Sequence, residues 1–488
     1  MREHQAAFQA HSDANGGNRV GGSPGYEASV EYVSQRLTAA GYTVTYDYFD
    51  FLFNADATPP TLAQNSPTAT TYVDGPDFAS MTFSESVPTT TAPVWAVDLV
   101  LPNAAAPGAT TSGCEAADFA GMPAGAIALM QRGTCPFGAK SLNAKNAGAV
   151  GAVIFNDGGD AGRFAVINGT LGAPNQGAAV GTTLALGRDL ANGIASGNTG
   201  SVATIKIDRV EETRTTRNVI AEAPGKDTNN VIVVGAHLDS VPRGGGVNDN
   251  GSGSAGILEV AEELGKRGFS GSNGLQNPVR FVWWGAEEFG LLGSRAYVAE
   301  LPQAERDRIA LNLNFDMIGS PNYARMVYDG DNSAFPVGPG AAAGPAGSGE
   351  IERVFRDYFA GVGLASTQTP FSGRSDYGPF IAAGVDIPAG GLFTGAEGIK
   401  TAAEAQLFGG AAGQPFDPCY HLACDTFANV NLQGLDEMVD AVAHAVYHFA
   451  RRDFSKQALV NPASPVGCSG GSGSGGLHDE HDHDTIPA

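Results

Sequence analysis

A buried-type strand that runs straight into a polar, glycine-rich loop and then a helix constrains this chain more than any other feature. Residues 231–256 read VIVVGAHLDSVPRGGGVNDNGSGSAG. The run Val231–Val234 is apolar and β-branched, as in strands covered on both faces. It delivers His237 and Asp239 to its carboxyl end, and Asp249 follows just before a helix signal. Open α/β sheets present their chemistry at the carboxyl ends of their strands. Imidazole nitrogen and carboxylate oxygen are the donors that catalytic zinc takes. The competing reading is a polar loop after a buried strand, a common arrangement for Gly and Asp. Later segments decide against it.

Those segments repeat the pattern. Val279–Trp284 is a second apolar run and ends in GAEE, which sets Glu287 beside Glu288. Ala310–Phe315 ends in Asp316, and His421 lies in DPCYHLACD between Cys419 and Cys424. The candidate ligands are therefore His237, Asp249, Glu288, Asp316 and His421. Two zinc ions about 3.5–4 Å apart need such a mixture, with one carboxylate shared between them. Neighbouring glutamates suit a division of labour, one binding metal and the other moving protons. In a regular strand they would point to opposite faces, so the backbone must turn there, and Gly285 and Gly290 permit it.

The ordered motifs GAHLDSV…GVNDNGSG, WWGAEEFGLLGS, NFDMIGS, GRSDYGPF and DPCYHLACD resemble those of secreted bacterial di-zinc aminopeptidases, relatives of leucyl aminopeptidase and aminopeptidase Y. The resemblance covers roughly residues 17–48 and 215–451. It implies two zinc ions per chain, one held by His237 and Asp316, the other by Glu288 and His421, with Asp249 bridging. It further implies Glu287 as general base, Asp239 as the carboxylate that orients His237, and Tyr420 as donor to the developing oxyanion. By the same resemblance Arg374 positions substrate, with a structural salt bridge as the alternative. Met317, Phe371 and Phe393 would wall an apolar pocket for the first side chain. The substrates implied are peptides with an apolar first residue and a free N-terminus.

Other activities fit less well. SGRSD around Ser375 lacks the strand–Ser–helix elbow of a serine hydrolase. A carboxypeptidase on this scaffold needs cations for the substrate carboxylate, and the motifs hold only Arg243 and Arg374. A glutaminyl cyclase would need no second metal. A catalytically dead binding protein would have lost ligands that this chain keeps. His444 and His448 are four apart on an amphipathic helix without the intervening Glu of HExxH, and read as packing or surface residues. Asp436 and Asp440 lie on the same helix. Calcium is one use for such a pair, but it wants six or more oxygens, so a solvated acidic face is the preferred reading.

The net charge of −23, from 28 Lys+Arg against 51 Asp+Glu, argues against nucleic-acid binding. No apolar run approaches the ~18 residues of a membrane helix. Cys114 with Cys135, and Cys419 with Cys424, form two short-range pairs that suggest disulfides and an oxidising compartment. Cys468 is left over in the Gly/Ser tail. The chain opens MREHQAAF with no basic-then-apolar leader. The reading is a secreted protein whose export signal was removed, replaced by a start Met or missed, and which acts as a monomer.

The expected fold is α/β, a mostly parallel mixed sheet covered by helices on both faces, with a small β-rich module inserted. Ser23 and Pro24 open a helix striped by Tyr26, Val30, Val33 and Leu37. The peptidase domain is read as residues 1–58 and 206–454. Residues 59–93, rich in Pro, Thr and Ser, read as linker or irregular connection. Residues 94–205 resemble a protease-associated domain, in which Cys114 and Cys135 would staple loops around the Ala126–Gln131 strand and Ser141–Gly148 would be a short helix. Residues 455–488 read as a disordered Gly/Ser tail ending in HDEHDHD, whose His478, His481 and His483 could scavenge metal weakly.

Overall fold

The computed structural model describes residues 1–159, 163–268, 274–338 and 340–459. The tail histidines and Cys468 lie outside the described residues. The described chain divides into two compact units, Met1–Phe51 with residues 214–459, and residues 52–213. Both passages between them fall inside long strands, Val44–Ser66 and Gly197–Ala223.

The first unit is built on the strand Val231–His237. It pairs in parallel with Val279–Trp284 on one side and Ile309–Phe315 on the other. Beyond Ile309–Phe315 come Ala389–Phe393 in parallel, then Met326–Tyr328 antiparallel, then Thr367–Thr369 in parallel. The end of Gly197–Ala223 closes the other side, antiparallel to Val279–Trp284. Every residue of Val231–His237 is buried. Its side chains alternate between two cores, as strand periodicity requires. Ile232, Val234 and Ala236 join one core with helices Pro24–Ala39, Gly251–Lys266, Ser348–Gly361 and Leu432–Arg451. Val231 and Val233 join another with Val282, Trp284, Tyr297, Val298 and Phe380. A mostly parallel sheet with both faces covered is what the apolar runs require.

Helix boundaries follow their caps. Ser23 accepts from the Tyr26 amide with Pro24 at the first turn, and Tyr26, Val30, Val33 and Leu37 are all fully enclosed. Asn250 caps Gly251–Lys266 by accepting from the Gly253 amide at 2.9 Å. Leu432–Arg451 buries Leu435, Met438, Val442, Val446 and Phe449 and exposes Asp436, Asp440, His444 and His448. An additional helix, Arg2–Ala14, precedes the elements expected from sequence and buries His4 and Phe8.

In the second unit, Val87–Ala96, Ile127–Gln131, Gly151–Phe155 and Ala179–Thr182 form a parallel run, edged by antiparallel Phe78–Ser80. Helix Phe137–Asn146 starts four residues earlier than Ser141, and the Cys114–Cys135 disulfide is formed. Residues 59–93 differ from the expected irregular connection. They contain the end of Val44–Ser66, then Phe78–Ser80 and most of Val87–Ala96, and they place Leu62, Tyr72, Phe78 and Val87 in the core. The stretch is dominated by turn-forming types, and its few apolar anchors are spaced too widely to stand out. Among the described residues no helix is long and apolar enough to cross a membrane.

Candidate active site

Three strand ends bring the candidate ligands together. His237 ends Val231–His237 and stands beside Trp284 in the parallel register. Asp316 directly follows Ile309–Phe315. After Trp284 the chain turns sharply, with Ala286 left-handed at φ 56°, a 3₁₀ turn over Glu287–Phe289, and Gly290 at φ 107°. A side chain at Gly285 would stand 2.6 Å from the Tyr26 hydroxyl. The turn that the adjacent glutamates demanded is therefore present. His421 is itself left-handed, at φ 57°, within the loop closed by the Cys419–Cys424 disulfide. Non-glycine residues held in this region are characteristic of functional sites.

The five ligand candidates form one constellation around Asp249. Asp249 Oδ1 lies 3.3 Å from His237 Nε2, and Asp249 Oδ2 lies 3.2 Å from His421 Nε2. Asp316 Oδ1 is 3.3 Å from His237 Nε2, and Glu288 Oε2 is 3.1 Å from His421 Nε2. Two ligands on one tetrahedral zinc, each about 2.05 Å away, stand about 3.3 Å apart. Glu287 is the outlying member, 3.8 Å from His237 Nε2. Two overlapping groups have ligand atoms within 4.8 Å of one another, His237–Asp249–Glu288 and His237–Glu287–Asp316. Asp316 Oδ1 and Glu288 Oε1 are buried with no hydrogen-bond partner among the described residues. Buried carboxylate oxygens seldom stay unsatisfied, so this donor set fits divalent cations.

The electrostatics point the same way. Burial pushes the Glu287 carboxyl well above its ordinary range, with the Asp376 and Asp316 charges adding to the rise and His237 opposing it. Glu288 is pushed up to about 7 by burial and by Asp249. Burial lowers both imidazoles, but the facing carboxylates outweigh it, raising His237 well above its usual value and His421 to about 10. Asp249 is raised by burial yet held low overall by its bonds to both imidazoles. So many buried acids with two imidazoles as counter-charges form a site short of positive charge.

Asp239 does more than face His237. Its Oδ1 is 3.6 Å from His237 Nδ1 and accepts from the Glu287 amide at 3.1 Å, while Oδ2 accepts from the Glu288 amide at 3.4 Å. It thus ties the first strand end to the turn of the glutamates. Several supporting residues escaped the sequence reading. Asp425 accepts from the Asn248 and Asp249 amides at 2.8 and 3.0 Å. Arg19, fully buried, donates to the Leu238, Gly245 and Gly246 carbonyls and so clamps the loop between His237 and Asp249. Burial brings Arg19 down to about 10, so it stays cationic beside Asp239 and Asp425. Asp376 is buried as well, and burial together with the Asp316 and Asp239 charges pushes it up to about 8.

Tyr420 stacks on His421 with ring centroids 3.9 Å apart. Burial holds its phenol well above the usual value despite Arg374 nearby, so it remains a proton donor. Arg374 Nη2 donates to the Tyr420 hydroxyl and to Glu397 Oε1, both at 3.3 Å. Both readings of Arg374, salt bridge and substrate positioning, are compatible with that contact. Met317, Phe371 and Phe393 belong to one apolar cluster against which Tyr420 packs. Phe371 is fully enclosed, stacked on Tyr328 at 5.3 Å, so its contribution is to back this wall. Away from this site, Asp329, Asp331 and Glu352 also approach one another. Amides of residues 330 and 333–335 and the Arg356 guanidinium already bond their oxygens, which accounts for the cluster without a cation. Asp436 and Asp440 join no group of three ligand-type residues among the described residues.

Comparison with known proteins is consistent with this geometry. The profile of Peptidase family M28 matches residues 218–446, and that of the PA domain matches residues 95–190. The chain is 45% identical over 431 residues to an aminopeptidase of Pseudomonas aeruginosa, covering 88% of this chain and 76% of that protein. It is 41% identical over 476 residues to leucine aminopeptidase 2 of Trichophyton equinum, covering 96% and 88%. Among solved structures, the aminopeptidase from Aneurinibacillus sp. strain AM-1 superposes with a TM-score of 0.66 at 28% identity, covering 95% of this chain and 96% of that one. The chain thus belongs to peptidase family M28 and carries a PA domain.

Proposed function

We propose that this chain is a secreted aminopeptidase that uses two zinc ions to hydrolyse the N-terminal peptide bond of peptides with an apolar first residue. One observation carries the reading: the two oxygens of Asp249 face two different imidazoles, His237 and His421. That is the arrangement of a carboxylate shared between two metals. His237 and Asp316 would hold one zinc, Glu288 and His421 the other. When bound, the ions would supply the Lewis acidity that activates water and polarises the scissile carbonyl.

The chain's own residues do the rest. Glu287 stands beside the ligands, takes the proton of the attacking water and passes it to the leaving amine. Tyr420, kept as phenol, donates to the oxyanion as it develops. Asp239 steadies the ring of His237, with its backbone carbonyl 3.3 Å from Nδ1 and its carboxylate at 3.6 Å, and holds the glutamate turn through its carboxylate. The substrate's ammonium is met by Glu287 and Asp316, and its first side chain by the wall of Met317 and Phe393, backed by Phe371. Secretion is supported by the two disulfides, which persist in oxidising compartments.

A reporter panel tests this reading. Leucyl reporters should be cut well, N-acetylated leucyl reporters poorly, and carboxyl-terminal reporters not at all. Because each buried methylene is worth only about 0.8 kcal/mol, discrimination among Leu, Met and Phe should be modest and rejection of Asp or Glu strong. Efficient cleavage of the acetylated reporter, or preference for an acidic first residue, would overturn it.

A further inference from the structure

Helix Arg2–Ala14 departs from the usual pattern of a docked helix. A helix packed on a core turns an apolar stripe inwards, but this one encloses His4, Gln5 and Ser12 along with Phe8. Burying polar side chains costs free energy unless hydrogen bonds replace those made to water. Where those bonds go therefore tells what the helix does, and they go to the backbone of two loops. Gln5, fully enclosed, donates from Nε2 to the Val247 carbonyl at 3.3 Å, two residues before Asp249. One turn on, Gln9 Oε1 accepts from the Phe427 amide at 2.8 Å, six residues after His421. Arg2 donates to Gln5 Oε1 at 2.7 Å and to the Phe427 carbonyl at 2.8 Å, with its guanidinium carbon 3.4 Å from the centre of the Phe427 ring. Both backbone groups of Phe427 are thus held by the helix. Ser12 ends the stripe against Gly245, where a side chain would stand 3.0 Å from its hydroxyl. Arg2, Gln5, Gln9 and Ser12 recur at helical spacing and so share one face.

We propose that this helix braces the metal site. Gln5 grips the loop that carries Asp249, and Gln9 grips the loop that carries His421. Together they hold the separation at which Asp249 faces both imidazoles. His237, Glu288 and Asp316 follow neighbouring strands of one sheet, whose pairing fixes their spacing. His421 lies instead in a loop between helices Ala402–Phe408 and Leu432–Arg451. Asp425 ties that loop to the Asn248 and Asp249 amides, and the helix ties the same two loops a second time. One tie leaves two segments free to swing about it, whereas two ties fix their orientation. Gln5 and Gln9 bond backbone groups of the loops, so they are positioning residues.

The two grips differ in chemistry. The Phe427 amide is a donor, so residue 9 must offer an acceptor. The Val247 carbonyl is an acceptor, so residue 5 must offer a donor. An ionised glutamate only accepts. It can therefore stand in for Gln9 but not for Gln5. Asp13, which accepts from Gln9 Nε2, is exposed and can turn away from the new charge.

This inference rests on the di-zinc reading, and the experiment separates the two. Zinc affinities of the full chain and its variants are measured by competition with a chromophoric chelator, alongside kcat and KM for a leucyl reporter. Hydrogen exchange of the metal-free chain reports on the loops themselves. The wild type should bind two zincs. Gln5→Met and Gln9→Met keep the length of the side chain and lose its hydrogen bonds. Each should weaken one zinc by about tenfold, the lower end of what outer partners contribute, and lower kcat with KM changed little. Exchange at the Phe427 amide should quicken in metal-free Gln9→Met. The double variant should bind no more weakly than the worse single one, because a brace released from either loop no longer spans both. Gln9→Glu should keep the wild-type affinities, and Gln5→Glu should not. Should the Gln5 variants fail to fold, Gln9→Met against Gln9→Glu decides. Wild-type affinities in Gln9→Met, equal losses in Gln9→Met and Gln9→Glu, or losses that simply add in the double variant would overturn the brace and leave the di-zinc reading standing. A wild type that binds no zinc would overturn both.

Discussion

Glu287→Ala should retain its zinc and lose on the order of 10²–10⁴ in kcat, the usual contribution of a positioned acid–base group. The expectation follows from the difference between two neighbouring glutamates. Glu288 Oε2 stands 3.1 Å from His421 Nε2, at the spacing of two ligands on one ion, whereas Glu287 lies 3.8 Å from His237 Nε2. The 3₁₀ turn after Trp284 lets both face the same space, and Asp239 anchors both amides. Burial and neighbouring acids raise the affinity of Glu287 for a proton, which is what a group that accepts and then releases one requires. Zinc content and kcat measured on Glu287→Ala and Glu288→Ala check the assignment. If Glu287→Ala drops a zinc while Glu288→Ala keeps both, the two roles are exchanged.

Asp249→Ala should be the most damaging single change. Asp249 presents one oxygen to each imidazole. The backbone there is fixed by hydrogen bonds from the Asn248 and Asp249 amides to Asp425 and by the clamp of Arg19 on the preceding loop. Removing it leaves His237 and His421 without their common partner, and both metal sites should weaken together. The loss should exceed the roughly 10–100-fold that outer partners cost. Elemental analysis of the purified variant should fall well below two zincs per chain, with activity lost in parallel. A variant that keeps both zincs would remove Asp249 from the bridge. Asp249→Asn, which preserves shape without charge, separates loss of the ligand from collapse of the loop.

The candidate ligands stand out in the sequence because each follows a buried strand or sits in a punctuated loop, and periodicity carries that information directly. Glu287 and Glu288 were legible as a pair because two adjacent acids after an apolar run make sense only at a turn, and the turn is present at Ala286 and Gly290. The supporting residues were not. Arg19 and Asp425 act through contacts that join segments far apart in sequence, as Arg19 to Gly245 and Asp425 to Asn248. No local pattern announces that an arginine in a glycine-rich stretch will be fully buried. Residues 59–93 failed for the opposite reason. Their Pro, Thr and Ser content reads as irregular chain, while the partners that make strands of them lie far away in sequence, as Val87 opposite Ile207.

Stoichiometric reconstitution tests the proposed co-catalytic pair of zinc ions most directly. Protein stripped of metal should be inactive on a leucyl reporter. Because zinc needs the imidazoles neutral, and His421 holds its proton up to about 10 in the metal-free chain, binding should release protons and weaken as pH falls. Activity should rise with added zinc and reach its plateau at two ions per chain. Full activity in the stripped protein, or a plateau at one ion per chain, would contradict the account.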